Sequence, residues 1–144
     1  MPHPDLEELL NMLVPFAQQM LSKHGEFYPF GATMTSSGEL VANAGYTGEE
    51  APEPKEVIEL LTKAFQDGAA SGKIRAAGIC VDIRTIPPGA TEKTDAICVS
   101  LEHQSGDAVD VCIPYKKGLF GRMKYGELSA GKRDPSFFVQ NKSG

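Results

Sequence analysis

Ala77-Gly78-Ile79-Cys80-Val81-Asp82-Ile83-Arg84, Ile97-Cys98-Val99-Ser100-Leu101-Glu102 and Val109-Asp110-Val111-Cys112-Ile113 are three runs that alternate strictly. Apolar, mostly β-branched side chains take the odd positions, and small, polar or charged ones take most of the even positions. A period of two sends each set to its own face of a pleated strand, so three successive strands are predicted. Gln104-Ser105-Gly106 reads as a three-residue hairpin loop with Gly106 in the left-handed position. Counting back from that loop sets Leu101 opposite Val109, Val99 opposite Val111, Ile97 opposite Ile113 and Cys98 opposite Cys112. A slip of one residue would carry Asp110 in among the core valines, so the pattern itself opposes it.

Working outward, Leu6, Leu9, Leu10, Leu13, Phe16, Ala17, Met20 and Leu21 keep the spacing of one helical stripe from about Asp5 to Lys23, within an N-terminal segment 1–24. Pro15 lies inside the stripe without shifting its phase, which predicts one bent helix ending at His24-Gly25. Phe27 to Tyr46 reads as a β-hairpin around Thr35-Ser36-Ser37-Gly38, with Pro29 implying an edge position or a bulge at its start. Thr47 to Pro54 is a loop. A second helix carries Val57, Ile58, Leu61, Ala64, Phe65, Gly68 and Ala69 on one stripe, started by Pro54 and stopped by Gly72. Residues 116–144 form a basic, Gly-rich tail in which Arg122 to Leu128 is a candidate strand. Phe137, Phe138 and Val139 are apolar enough to dock that tail on the core.

The expected fold is therefore a single α+β domain over 1–144. It has one antiparallel sheet of about five strands in the order α-β-β-α-β-β-β, with the C-terminal tail packed against it. That order, with Gly31-Ala32-x-x-Thr35-x-x-Gly38-Glu39 in the first hairpin, resembles the roadblock (profilin-like) family over about residues 5–115. The resemblance implies a non-enzymatic scaffold that pairs through its sheet and second helix. Phe27-Tyr28-Pro29-Phe30-Gly31-Ala32, Asp95-Ala96-Ile97 and Leu101-Glu102-His103 also look like a family of uncharacterised bacterial proteins, which implies no activity.

Charge is distributed unevenly. Residues 1–60 hold ten acids against Lys23 and Lys55, whereas residues 116–144 hold seven bases against Glu127 and Asp134. With a net charge of −5 the chain is a poor general nucleic-acid binder, because such affinity rests on neutralising many phosphates. The basic tail leaves room for a local anionic contact. No apolar run reaches the ~18 residues of a membrane span, and the first residues lack an export signal. A cytoplasmic protein with no membrane partner is expected. In that setting Cys80, Cys98 and Cys112 read as reduced, buried thiols, with Cys98 and Cys112 adjacent. Asn141-Lys142-Ser143 matches a glycosylation sequon that has no secretory route to use.

Catalytic patterns are scarce. There is no G-x-x-x-x-G-K-S/T loop and no G-x-S-x-G elbow, and Gly118-Leu119-Phe120-Gly121-Arg122 has no helix after it to complete a phosphate cradle. His3, His24 and His103 show no second ligand at helical or hairpin spacing, so neither metal nor cofactor is expected. Cys98 and His103 point to opposite faces of one strand and cannot pair there. Cys80, Cys98 and Cys112 all fall on one face of the sheet, with Asp82, Arg84, Glu102 and Asp110. Cysteines prefer burial and the charges do not, so part of that face is covered by a helix, the tail or another subunit. Arg84, Glu102, Asp110 and Arg122 are the candidate ligand-binding residues, although a solvated, salt-bridged face explains them without chemistry.

Two functions are consistent with this sequence. The first is a non-enzymatic interaction or scaffold domain, a homodimer that buries the aromatic surface of Phe27, Phe30, Phe137 and Phe138, with a protein partner as a further option. The second is a small-molecule-binding or hydrolytic domain built on Arg84, Glu102 and Asp110.

Overall fold

A computed structural model describes residues 3–44 and 53–139. Most of the Thr47–Pro54 loop, the Asn141 sequon and the end of the basic tail lie outside them. Helix α1 spans Pro4–His24, strands β1 and β2 span Phe30–Thr35 and Leu40–Ala44, and helix α2 spans Pro54–Ala70. Strands β3, β4 and β5 follow at Ile74–Thr85, Thr94–His103 and Ala108–Lys117, then the short β6 (Met123–Tyr125) and β7 (Ser129–Lys132). The first seven elements come in the expected order. Among the described residues the sheet has seven strands rather than about five, because the tail adds β6 and β7 alongside β5.

The sheet is antiparallel in the order β2-β1-β3-β4-β5-β6, with β7 also paired to β5. Between β4 and β5 the register is the one the hydrophobic pattern demanded: Leu101 faces Val109, Val99 faces Val111, Ile97 faces Ile113 and Cys98 faces Cys112. Gly106 takes φ 105° in the loop, and the His103 N–H donates to Asp107 O at 2.8 Å to close it. The expectation of reduced thiols is overturned. Direct opposition brings the two Cα atoms to 4.2 Å, and Cys98 and Cys112 are joined as a disulfide, leaving Cys80 as a buried free thiol.

Parity between β3 and β4 is also corrected. Cys80 faces Val99 and Gly78 faces Leu101, so even positions of β3 share a face with odd positions of β4 and β5. Cys80 therefore lies on one face of the sheet, and Cys98 and Cys112 lie on the other. The long connection from Ile86 to Lys93 places no constraint on this register. Nor does β3 itself, since Ala76, Gly78 and Cys80 are as fit for burial as Ala77, Ile79 and Val81. Such a strand suits a sheet with both faces covered.

Both faces are covered here. Leu6, Leu9, Leu13, Ala17 and Leu21 of α1 are buried against Ala32, Met34, Ala76, Cys80, Ile97, Val99, Leu101 and Val111. On the opposite face Val57, Leu61 and Phe65 of α2 pack with Ala77, Ile79 and Phe137. Burial of each large side chain contributes about 1.5–3 kcal/mol. Two glycines mark the closest approaches. A Cβ on Gly78 would lie 2.8 Å from Leu13 Cδ1 and Leu101 Cδ2, and one on Gly31 would lie 2.8 Å from Phe65 Cζ. Helix α1 is continuous through Pro15 and ends where Gly25 turns left-handed at φ 76°. Pro29 precedes β1, which is an interior strand, so the expectation of an edge or an early bulge is corrected. Among the described residues β2 and β6 are the terminal strands of the sheet order.

Candidate functional site

The four sequence candidates do not share a surface. Arg84 lies on the α1 face, opposite Asp95, whereas Glu102 and Asp110 project from the α2 face, opposite Ala77 and Ser100. Arg122 is exposed on the turn between β5 and β6. What joins Glu102 and Asp110 is a tail residue that spacing could not nominate. Arg133 lies 3.6 Å from Glu102 Oε2 through one nitrogen and 3.1 Å from Asp110 Oδ1 through another.

Glu102 is 0% exposed. Its oxygens accept the backbone N–H groups of Ser136 (2.9 Å), Phe137 (2.8 Å) and Phe138 (3.3 Å), together with the Ser136 hydroxyl at 3.0 Å. A buried carboxylate is tolerated only when its lone pairs are filled in this way. Phe137, seated edge-on against Phe65 of α2, completes the dock of the tail. The expected tail docking is therefore present, and Glu102 is what fastens it.

At the same end of β4, but on the opposite face, a second polar cluster forms around the start of α1. Asp5 Oδ2 lies 2.8 Å from His103 Nε2 and 3.1 Å from Arg75 Nε, and Asp5 Oδ1 accepts from an Arg75 terminal nitrogen at 3.2 Å. The Ser105 N–H donates to His103 Nδ1 at 3.0 Å, with Ser105 Oγ 2.9 Å from the same nitrogen. Since Nδ1 accepts, Nε2 carries the proton and donates to Asp5. His3 caps α1 by accepting the Asp5 N–H, and its ring stacks on His103 with centroids 3.7 Å apart. Burial raises the Asp5 carboxyl, but the His103 and Arg75 hydrogen bonds and the nearby charge outweigh it, so Asp5 lies below its ordinary pKa.

Chain separation hid this cluster from the sequence, since Asp5 read only as a helix-start acid. His3, Asp5 and His103 offer three ligand atoms within 4.8 Å of one another, a grouping that helical or hairpin spacing does not reveal. Each of those residues already takes part in protein hydrogen bonds, and the Arg75 guanidinium on Asp5 opposes a second cation. Ser105, His103 and Asp5 also fall in the order of a nucleophile, base and orienting acid. Ser105 offers His103 its backbone N–H as well as its hydroxyl, and Arg75 draws charge from Asp5. The geometry is that of a clamp holding α1 to the β4–β5 turn.

A third polar site lies within the α1 face. Tyr115 Oη donates to Asp82 Oδ1 at 2.5 Å. Burial pushes both groups above their ordinary values, and for Tyr115 the Asp82 hydrogen bond and charge add to the rise.

Exposed apolar groups are concentrated elsewhere than the sequence expected. Phe27 and Phe137 are buried within the chain, so the aromatic argument for self-association is overturned. Phe16, Leu40 and Val41 are exposed instead; Phe16 borders a groove of about 300 Å³ on the α1 face lined by Met12, Leu13, Phe30 and Ala42, and Val41 projects from the other face of β2. Among the described residues no helix is long and apolar enough to cross a membrane. No family model, curated protein or solved structure matches the chain.

Proposed function

We propose that the chain is a non-enzymatic interaction module that pairs with a second copy of itself through β2. The contrast between the two edges of the sheet carries this reading. On the β5 side the edge is broken into strands of three and four residues that bear Lys124 and Lys132. Short, charged strands are the usual protection against unwanted pairing. Strand β2, Leu40-Val41-Ala42-Asn43-Ala44, has no charge and no proline, and it exposes Leu40 and Val41. Antiparallel pairing of β2 with its own copy sets no like charges opposite one another, and a two-fold interface is self-complementary. It would extend the sheet and cover the neighbouring groove under Phe16. This is also the class of function that the roadblock resemblance implies.

The test is light scattering across a concentration series on the protein and on Val41→Lys, which adds the missing edge charge at an exposed position. A dimer that Val41→Lys converts to a monomer with an unchanged circular-dichroism spectrum is the expected result. A wild-type monomer at high micromolar concentration rejects the proposal.

A hydrolytic reading no longer has a shared surface in Arg84, Glu102 and Asp110, and it moves to Ser105, His103 and Asp5. Labelling of Ser105 by a fluorophosphonate probe would favour it, and an unlabelled protein would remove it.

A further inference from the structure

We propose that the β5–β6 turn is a peripheral docking tip that inserts Leu119 and Phe120 into the interface of an anionic lipid bilayer. The two side chains are 83% and 99% exposed, and they are adjacent at the apex of the 3-10 turn Leu119–Gly121. Phe120 sits at φ 62°, ψ 29°, the left-handed region that glycine or asparagine normally fills. An aromatic residue there carries a backbone cost, and full exposure means that no packing within the described residues offsets it. Strain held at an exposed aromatic residue points to a contact outside the chain.

Charge supports a lipid surface as that contact. Lys116 and Lys117 lead into the turn and Arg122 and Lys124 lead out of it, all four are exposed, and no acid occurs from 116 through 126. Among the described residues none of the four forms an ion pair with a carboxylate. The first acid after them is Glu127. Lys117 turns its amine back toward Gly25 at the end of α1, and the apolar apex flanked by Lys116, Arg122 and Lys124 matches a bilayer, where acyl chains lie just beneath a layer of phosphates. The stalk is firm: Lys117 pairs with Met123, Gly118 N–H donates to Arg122 O at 2.6 Å, and Met123 packs against the α1-side core. A convex tip of this kind suits a medium that yields around it. The sequence expectation of no membrane partner rested on the lack of a spanning segment, which a surface contact does not need. This tip lies at the far side of the sheet from β2, so it stands apart from the self-pairing proposal.

The chain has no tryptophan, so Phe120→Trp places a single indole at the apex. With vesicles of phosphatidylserine and phosphatidylcholine, its emission is expected to shift to the blue and to be quenched by brominated acyl chains. Pure phosphatidylcholine vesicles and high salt should each suppress the shift. In a flotation assay, replacing Lys116, Arg122 and Lys124 by Gln should weaken binding by about fivefold per cation. Leu119→Ser with Phe120→Asn should weaken it by at least about tenfold, and circular dichroism should show both variants folded. Indole emission that stays unchanged in excess anionic lipid overturns the proposal, whatever protein the tip then proves to bind. Equal binding to the two kinds of vesicle also overturns it, as does undiminished binding of the Leu119/Phe120 variant.

Discussion

The Glu102 carboxylate accepts the Phe137 backbone N–H at 2.8 Å across 35 residues of chain, and that bond ties the C-terminal tail to the middle of the sheet. Ser136 and Phe138 donate to the same group, so one side chain satisfies three successive amides that the tail would otherwise bury unpaired.

Glu102→Ala is therefore expected to cost about 3–5 kcal/mol, the range for breaking a buried charged network by removing one partner. Glu102→Gln keeps the shape and one acceptor but turns an amide NH2 toward the donors, and should cost about 1–3 kcal/mol. Urea unfolding measures both. Trypsin should also cut the Ala variant faster at Lys132 and Arg133 while the rest of the sheet stays intact. A Glu102→Ala protein within experimental error of wild type, with a protected tail, would show that the dock does not depend on this carboxylate.

Local patterns made much of this architecture legible. Alternation marks β3, β4 and β5, the apolar stripes mark both helices, and Gly106 with Asp110 is enough to set the β4–β5 register. The β3–β4 parity was not legible, because both alternations of β3 are apolar and the long connection to β4 sets no phase. The polar sites failed for a related reason. Asp5 and His103 stand 98 residues apart, and Glu102 is completed by backbone N–H groups, which have no residue-type signature. Arg133 offered no sequence signal that would separate it from the other bases of the tail. In the 118–122 stretch the sequence shows the glycines, whereas the distinguishing feature in the fold is the exposed Leu119-Phe120 pair.

The Asp5 cluster predicts a specific acid response. Its folded carboxyl lies below the ordinary value of 3.8, so ionised Asp5 contributes stability that is present above that value and lost as pH falls through the folded pKa. An acid titration of the unfolding midpoint should therefore decline below about pH 4 in the wild type. Asp5→Asn should be less stable at neutral pH and should lose the part of the acid decline that Asp5 supplies. Parallel curves for the two proteins down to pH ~2 would mean that Asp5 has the same affinity for protons folded and unfolded.

The cysteines separate by location, and a staged alkylation experiment reads that separation directly. Cys80 lies fully buried on the α1 face, where burial, reinforced by the charge of Asp82, pushes its thiol well above the ordinary range. The thiolate is the reactive form, so the native protein should not label at mildly alkaline pH. Unfolding without a reductant should expose one reactive cysteine, Cys80, since Cys98 and Cys112 are bonded to each other. Reduction should raise the count to three. The bond closes a loop with a sequence separation of 14, for which chain entropy gives about 3 kcal/mol. Cys98→Ser with Cys112→Ser should lower stability by up to about that amount without changing the fold. Leu101, Val99 and Ile97 still face Val109, Val111 and Ile113, so the register does not depend on sulfur. Three labels on the unfolded protein before reduction would show that the two thiols sit opposite each other unbonded, and one mass-spectrometric measurement separates the two states.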